Sequence, residues 1–224
     1  MTEWELQQRL TRRWLVEGRV VLAGEVFFLA AWEVMEDYRI NDYRRHWAMP
    51  SIDFLLLDES GHLAALELKR AITSPREAWS ALCQVSHRAA VLATHYRPEL
   101  LVGAYRDCYS GTDGRAPVAD SVPDLTAAHG RLFEMTPLAA LPGVPVRRLL
   151  MAESFGRSVT AVYDVFSRGL QAEIRTHVEG YRGRSTEFRR YLGCDLDPTK
   201  VATDAVVLVD TAGDPWFFKD SVSG

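Results

Sequence analysis

Two apolar runs, Ile52-Asp-Phe-Leu-Leu-Leu57 and His62-Leu-Ala-Ala-Leu-Glu-Leu-Lys69, are separated only by Asp58-Glu-Ser-Gly61. That spacing constrains the chain more than any other feature. The linker has the chemistry of a hairpin turn that ends on a glycine. With Glu59, Ser60 and Gly61 as a three-residue loop and Gly61 in the left-handed region, Asp58 pairs with His62. Counting back from that pair sets Asp53 directly opposite Glu67, with Cβ atoms about 5 Å apart on one face. Lys69, two residues beyond Glu67, shares that face. Both runs are apolar on both faces, with Phe54, Leu56, Leu66 and Leu68 on one and Leu55, Leu57, Leu63 and Ala65 on the other. Strands of that kind belong to an interior.

Facing carboxylates in an apolar ribbon repel, and burial raises the cost. A divalent cation between them converts repulsion into coordination. Mg²⁺ suits such a place because it takes hard oxygen ligands, often one or two carboxylates completed by water and phosphate. The competing reading is a surface hairpin whose charges face solvent. Lys69 adds weight to the first. Of 26 Lys plus Arg in the chain, only Lys69, Lys200 and Lys219 are lysines. A lysine beside two acids can orient or deprotonate a water in a way that an arginine cannot.

Asp53, thirteen intervening residues, then Glu67-Leu68-Lys69 resembles the PD-(D/E)XK nuclease superfamily, the fold of many restriction and repair endonucleases. The resemblance implies an α/β fold with a restriction-endonuclease-like core: a central mixed β-sheet flanked by helices, here over residues 1–155. Residues 156–224 are then a C-terminal helix and hairpin extension packed on that core. It further implies a nuclease that hydrolyses phosphodiester bonds with Mg²⁺ or Mn²⁺, its expected substrate DNA. Asp53 and Glu67 would bind the metal, Leu68 would offer its backbone carbonyl, and Lys69 would help to activate water. The flavour is that of the RecB-like and NucS-like branches, in which a Gln lies on the helix after the motif. Double-strand cutters of this fold often need two copies of the site, so a homodimer is compatible.

Two flanking elements can be read from local chemistry. Thr2-Glu-Trp-Glu5 is a capping box that starts a helix and engages Glu5 with backbone. Glu3 instead shares the inner stripe with Leu6, Leu10 and Trp14. Members of the family often carry an extra acid on the first helix, and Glu3 is the candidate. The alternative is a solvated first-turn acid favoured by the helix dipole. Glu25, which interrupts the apolar strand Val20-Val-Leu-Ala-Gly-Glu-Val-Phe-Phe-Leu29, is the rival for the same role. After the motif, Ser74-Pro75-Arg-Glu77 starts a helix expected over Pro75 to Thr94, with Ala78, Leu82, Val85 and Ala89 on its core face. Gln84 and Arg88 fall one turn apart on the flank of that face. Gln84 matches the RecB-like glutamine, or is an ordinary helix-surface residue; Arg88 stands where that branch has a Tyr.

A net charge of −4 argues against a histone-like general DNA binder. The basic residues cluster nonetheless, at Arg9, Arg12 and Arg13, at Arg44, Arg45 and His46, and at Arg182, Arg184, Arg189 and Arg190. Arginine suits bidentate phosphate contacts, and Tyr43, Trp47, Tyr181 and Tyr191 could stack on bases. Solvated faces show the same pattern. Three scattered cysteines indicate neither a disulfide framework nor a zinc site. No signal-peptide pattern opens the chain, and its longest apolar stretch is too short for a membrane. The expectation is a cytoplasmic protein without a membrane partner. A catalytically silent nucleic-acid-binding or assembly subunit of the same fold is the alternative function.

The remainder is less informative. Arg106 to Pro123 is polar and turn-rich and predicts an exposed loop. Arg147-Arg-Leu-Leu-Met-Ala152 predicts a core strand, and Ser158 to Tyr181 a helix with a short strand at its start. Ala205 to Val209 and Trp216 to Lys219 flank Asp210-Thr-Ala-Gly-Asp214, a second hairpin signal.

Overall fold

Local chemistry at the start of the chain sets the first helix. The Thr2 hydroxyl accepts from the Glu5 amide at 3.2 Å, and the Glu5 carboxylate accepts from the Thr2 amide at 2.6 Å. Helix α1 (Glu3–Glu17) follows and stops at Gly18, whose φ of 68° a side-chain-bearing residue adopts at a cost. The structure, a computed structural model, describes residues 2–22, 24–35, 51–95, 98–111, 117–118, 121–134, 146–156, 207–210 and 215–217.

The apolar run from Val20 is not one strand. It turns back at Gly24 (φ 80°) to give β1 (Val20–Leu22) and β2 (Glu25–Met35), with Leu22 opposite Glu25. Glu25 therefore opens a strand instead of interrupting one. Next come β3 (Ser51–Leu57) and β4 (Leu63–Lys69). Their turn has the expected form: Gly61 sits at φ 79°, its amide donates to Asp58 O at 2.9 Å, and the Asp58 amide donates to His62 O at 3.0 Å. The ladder Leu57↔Leu63 to Phe54↔Leu66 continues that count toward Asp53 and Glu67. Every residue of β4 but Lys69 is buried.

Helix α2 (Pro75–His95) starts where predicted. The Glu77 carboxylate accepts from the amides of Thr73 and Ser74, while Ser74 Oγ accepts from the Glu77 amide at 3.3 Å. Helix α3 (Pro98–Ser110) then covers the first part of the segment expected to be a loop from Arg106. The reason is a stripe that polar neighbours obscure: Leu101, Ala104, Tyr105 and Cys108 are buried at helical spacing. Tyr109 adds a 2.7 Å hydrogen bond to the Leu29 carbonyl. Helix α4 (Leu125–Phe133), capped by Asp124, brings buried His129 Nε2 to 2.8 Å from the Asp58 carbonyl. It is thereby tied to the β3–β4 turn.

The three helices form the crossover that parallel pairing requires. Strand β5 (Arg147–Ala152), the expected core strand, lies parallel to β4, with Glu67 opposite Leu150 and Lys69 opposite Ala152. The C-terminal hairpin signal becomes β6 (Val207–Asp210), parallel to β5, and β7 (Pro215–Phe217), antiparallel to β6. Among the described residues the sheet is seven-stranded and mixed, in the order β1-β2-β3-β4-β5-β6-β7. The chain is an α/β protein, and its C-terminal hairpin extends the central sheet. The helix expected over 158–181 and the basic clusters at 44–46 and 182–190 lie outside the described residues.

Alternation along β3 assigns the layers. Phe54 meets Trp14 of α1 edge-on, with ring centroids 4.7 Å apart. Asp53, its neighbour in sequence, points to the other face and toward α2. Phe28 packs against Tyr105 of α3 and His129 of α4. The sheet is curled: Arg147 of β5 reaches Glu25 of β2 at 2.6 and 2.9 Å across two intervening strands. Among the described residues no helix is long and apolar enough to cross a membrane.

Candidate active site

The C-terminal end of β4 and the facing end of β3 carry the acids, and two helices deliver the groups that meet them. Glu67 projects from β4 toward α2 and is 1% exposed. Asp53 projects from β3 to the same side. Its Oδ2 accepts the Leu68 amide hydrogen at 2.7 Å, a side-chain bond across the hairpin that fixes the carboxylate beside Glu67. Burial pushes the Asp53 carboxyl above its ordinary value; Arg88, the Leu68 amide and Lys69 oppose that rise. From α1, Gln7 Nε2 donates to the Asp53 carbonyl at 3.1 Å, so backbone and carboxylate of the same residue are both held.

Lys69 closes the strand. Its Nζ donates to Glu67 Oε1 at 2.6 Å and to Glu3 Oε1 at 3.2 Å. The first turn of α1 therefore arrives at the end of β4, where the capping box keeps Glu5 engaged and leaves Glu3 to the lysine. Thr2 also holds the Glu5 carboxyl below its ordinary value through these hydrogen bonds. Side-chain exposure rises from 1% at Glu67 through 15% at Asp53 and 23% at Lys69 to 45% at Glu3. The gradient locates the mouth of the site at the Glu3–Lys69 end.

The structure thus brings Asp53, Glu67, Lys69 and Glu3 together, each from the element the sequence assigned it. Leu68, the intervening residue, is fully buried. Gln84 lies on α2 with its Oε1 buried and, among the described residues, without a hydrogen-bond partner. Glu25 is at the far side of the sheet, held by Arg147, and does not compete with Glu3 for the site.

Sequence reasoning missed the partner supplied by α2. Arg88, 6% exposed, contacts Glu67 Oε2 directly and has Nη1 3.9 Å from Asp53 Oδ2. The signal was present: Arg88 is one turn after Gln84 and three residues after core-facing Val85, on the inward flank of the helix. A second arginine, Arg148 on β5, is buried on the same face and donates to Ser86 Oγ of α2 at 3.2 Å.

Among the described residues no three His, Cys, Asp or Glu side chains are arranged to hold an ion unaided. The donors that are present fit a hard cation of a different coordination style. Two carboxylates share one face, and on α2 the buried amide oxygen of Gln84 has no partner among the described residues. Three acids (Glu3, Asp53, Glu67) face two cations (Lys69, Arg88), which leaves an excess negative charge when all are ionised. A Mg²⁺ site of one or two carboxylates completed by backbone oxygen, water and phosphate matches that inventory. No protein-family model, curated protein or solved structure matches the chain.

Proposed function

We propose that the chain is a divalent-metal-dependent nuclease with a restriction-endonuclease-like core, acting on nucleic acid and most naturally on DNA. The observation that carries the reading is the convergence of Asp53, Glu67 and Lys69 at one strand end, with Glu3 placed on the lysine. Asp53, Glu67 and the Leu68 carbonyl would hold Mg²⁺ or Mn²⁺. Such an ion supplies charge stabilisation at the scissile phosphate and a more acidic bound water. Lys69, aligned by Glu67 and Glu3, orients that water or takes its proton. Asp53 is held by two hydrogen bonds from different elements, which limits the motion of a group that must be positioned to within about 0.5 Å.

The test is nicking of supercoiled plasmid by the purified chain with Mg²⁺ or Mn²⁺, compared with chelator. Conversion to open circles with metal alone supports the reading; no conversion of single-stranded, duplex or branched substrates under either condition removes it. Arg88 favours a second reading. Because this arginine already engages both acids, the cluster could serve as a buried ion network in a non-cutting, nucleic-acid-binding or assembly subunit. That reading predicts retention of nucleic acid on a column or gel with no metal-dependent product.

A further inference from the structure

Arg88 and a divalent ion have the same need: the Glu67 carboxylate, with Asp53 beside it. Glu67 is buried, Arg88 is buried against it, and both arise from rigid elements, a central strand and a 21-residue helix. A guanidinium and an ion cannot both occupy one carboxylate face. We propose that Arg88 is a displaceable counter-ion: it holds the acid pair while the site is empty of metal and hands the pair over when metal and nucleic acid bind. The inference rests on the nuclease reading and adds regulation to that same site.

The chemistry of the hand-over follows from charge. A guanidinium driven off a buried carboxylate needs another anion nearby, since an uncompensated buried charge is strongly unfavourable. Its planar fork matches a phosphate diester oxygen pair as well as it matches a carboxylate. Lys69 stays with Glu67 and Glu3 and does not satisfy Arg88, being itself a cation. A phosphate of the substrate is an anion of that kind. Metal and nucleic acid then bind cooperatively through this one side chain, each tightening the other by the same factor. Metal alone competes with Arg88 and binds below its intrinsic strength. The device would keep the site poorly loaded until a phosphate backbone is present.

The experiment is calorimetric titration of Mn²⁺ into the full chain, with and without a phosphorothioate oligodeoxynucleotide that resists cleavage. Thermal melts on the same samples report folding, so the readout does not depend on turnover. For the unaltered chain, weak Mn²⁺ binding that tightens about tenfold with oligonucleotide is expected. Arg88→Met should bind Mn²⁺ about tenfold more tightly than the unaltered chain without oligonucleotide, and the oligonucleotide should add little further. Arg88→Met should also melt lower without metal and recover when Mn²⁺ is added. Should it not fold without metal, Arg88→Lys carries the test: its shorter, compact ammonium must hold the acids less well and bind Mn²⁺ more tightly than arginine does. Equal or weaker Mn²⁺ binding by the folded variants overturns the counter-ion role, as does cooperativity that survives Arg88→Met. Absence of Mn²⁺ binding in the unaltered chain and in every variant sinks the metal reading itself, which separates the two failures.

Discussion

The Arg88 guanidinium lies against the Glu67 carboxylate, the two coming from opposite layers, a helix and the strand beneath it. Either residue alone would be hard to place in an interior that excludes water. Together with Asp53, Lys69 and Glu3 they form a cluster whose charges nearly offset, set in a sheet that is otherwise mostly apolar. This is where the chain departs from plain core packing, and where loss of a single partner should be felt most.

Lys69 is the first group to remove. Lys69→Ala leaves Glu67 facing Arg88 and frees Glu3 to solvent, so the fold should survive. Metal-dependent cleavage should fall by about 10²–10⁴-fold, the usual contribution of a positioned proton-transfer group. Initial rates of plasmid nicking, with circular dichroism to confirm folding, give the answer. Activity within a factor of two of the unaltered chain would leave Lys69 as a structural cation.

Asp53 makes the opposite trade. Burial raises its pKa above the ordinary 3.8, so the protonated form is favoured more in the folded state than in the unfolded one. The corresponding stability is fully present below the unfolded value and is lost as pH rises through the folded value. At neutral pH the ionised carboxylate is a net cost. Asp53→Asn keeps an acceptor for the Leu68 amide and removes the charge. It should melt a few degrees higher at pH 7, the shift that about 1 kcal/mol gives in a chain of this size. The advantage should shrink toward pH 4, while cleavage is abolished. A lower melting temperature for the variant at pH 7 would mean that Asp53 is bound by its cations more strongly than burial opposes it.

How much of this was legible in the residues depends on the range of the interaction. The β3–β4 register could be counted because a glycine turn fixes it within four residues, and α1 and α2 began where their caps lie. Arg148 and Ser86 were opaque for the converse reason, and the flank position of Arg88 narrowed its role without deciding it. Whether a polar residue on a helix flank faces water or an acid is decided by the docking of α2 on β4 and β5, which no local pattern encodes. The β1–β2 hairpin was hidden because Val20 to Leu29 is apolar on both sides of Gly24, and α3 because its polar residues lie between buried ones. The nuclease chemistry itself was proposed from three residues; the structure supplies their proximity.

Gln7 tests the link between the first helix and the site. Its Nε2 donates to the Asp53 carbonyl, and it is 7% exposed, so Gln7→Leu leaves that carbonyl without its side-chain donor. A loss of about 1–3 kcal/mol in urea unfolding is expected. If α1 also aligns Glu3 with Lys69, cleavage per folded molecule should drop by more than the unfolded fraction explains. Unchanged turnover beside the stability loss would confine Gln7 to holding α1 in place.

The facing of the two acids depends on the turn that Gly61 completes. At φ 79° this residue occupies backbone space that favours glycine, and its amide donates a hydrogen bond to Asp58 O. A side chain there costs about 1–2 kcal/mol. Gly61→Ala should therefore lower the urea midpoint, and Gly61→Asn should lower it less, since asparagine tolerates the left-handed region better. The turn is pinned from outside by the hydrogen bond between His129 and the Asp58 carbonyl, so strain should be absorbed as lost stability and not as a slipped register. A slip by one residue would turn Asp53 to the α1 face and away from Glu67. Cleavage per folded molecule should consequently be preserved in Gly61→Ala, and a folded but inactive variant would show that the turn alone, without α4, sets the register.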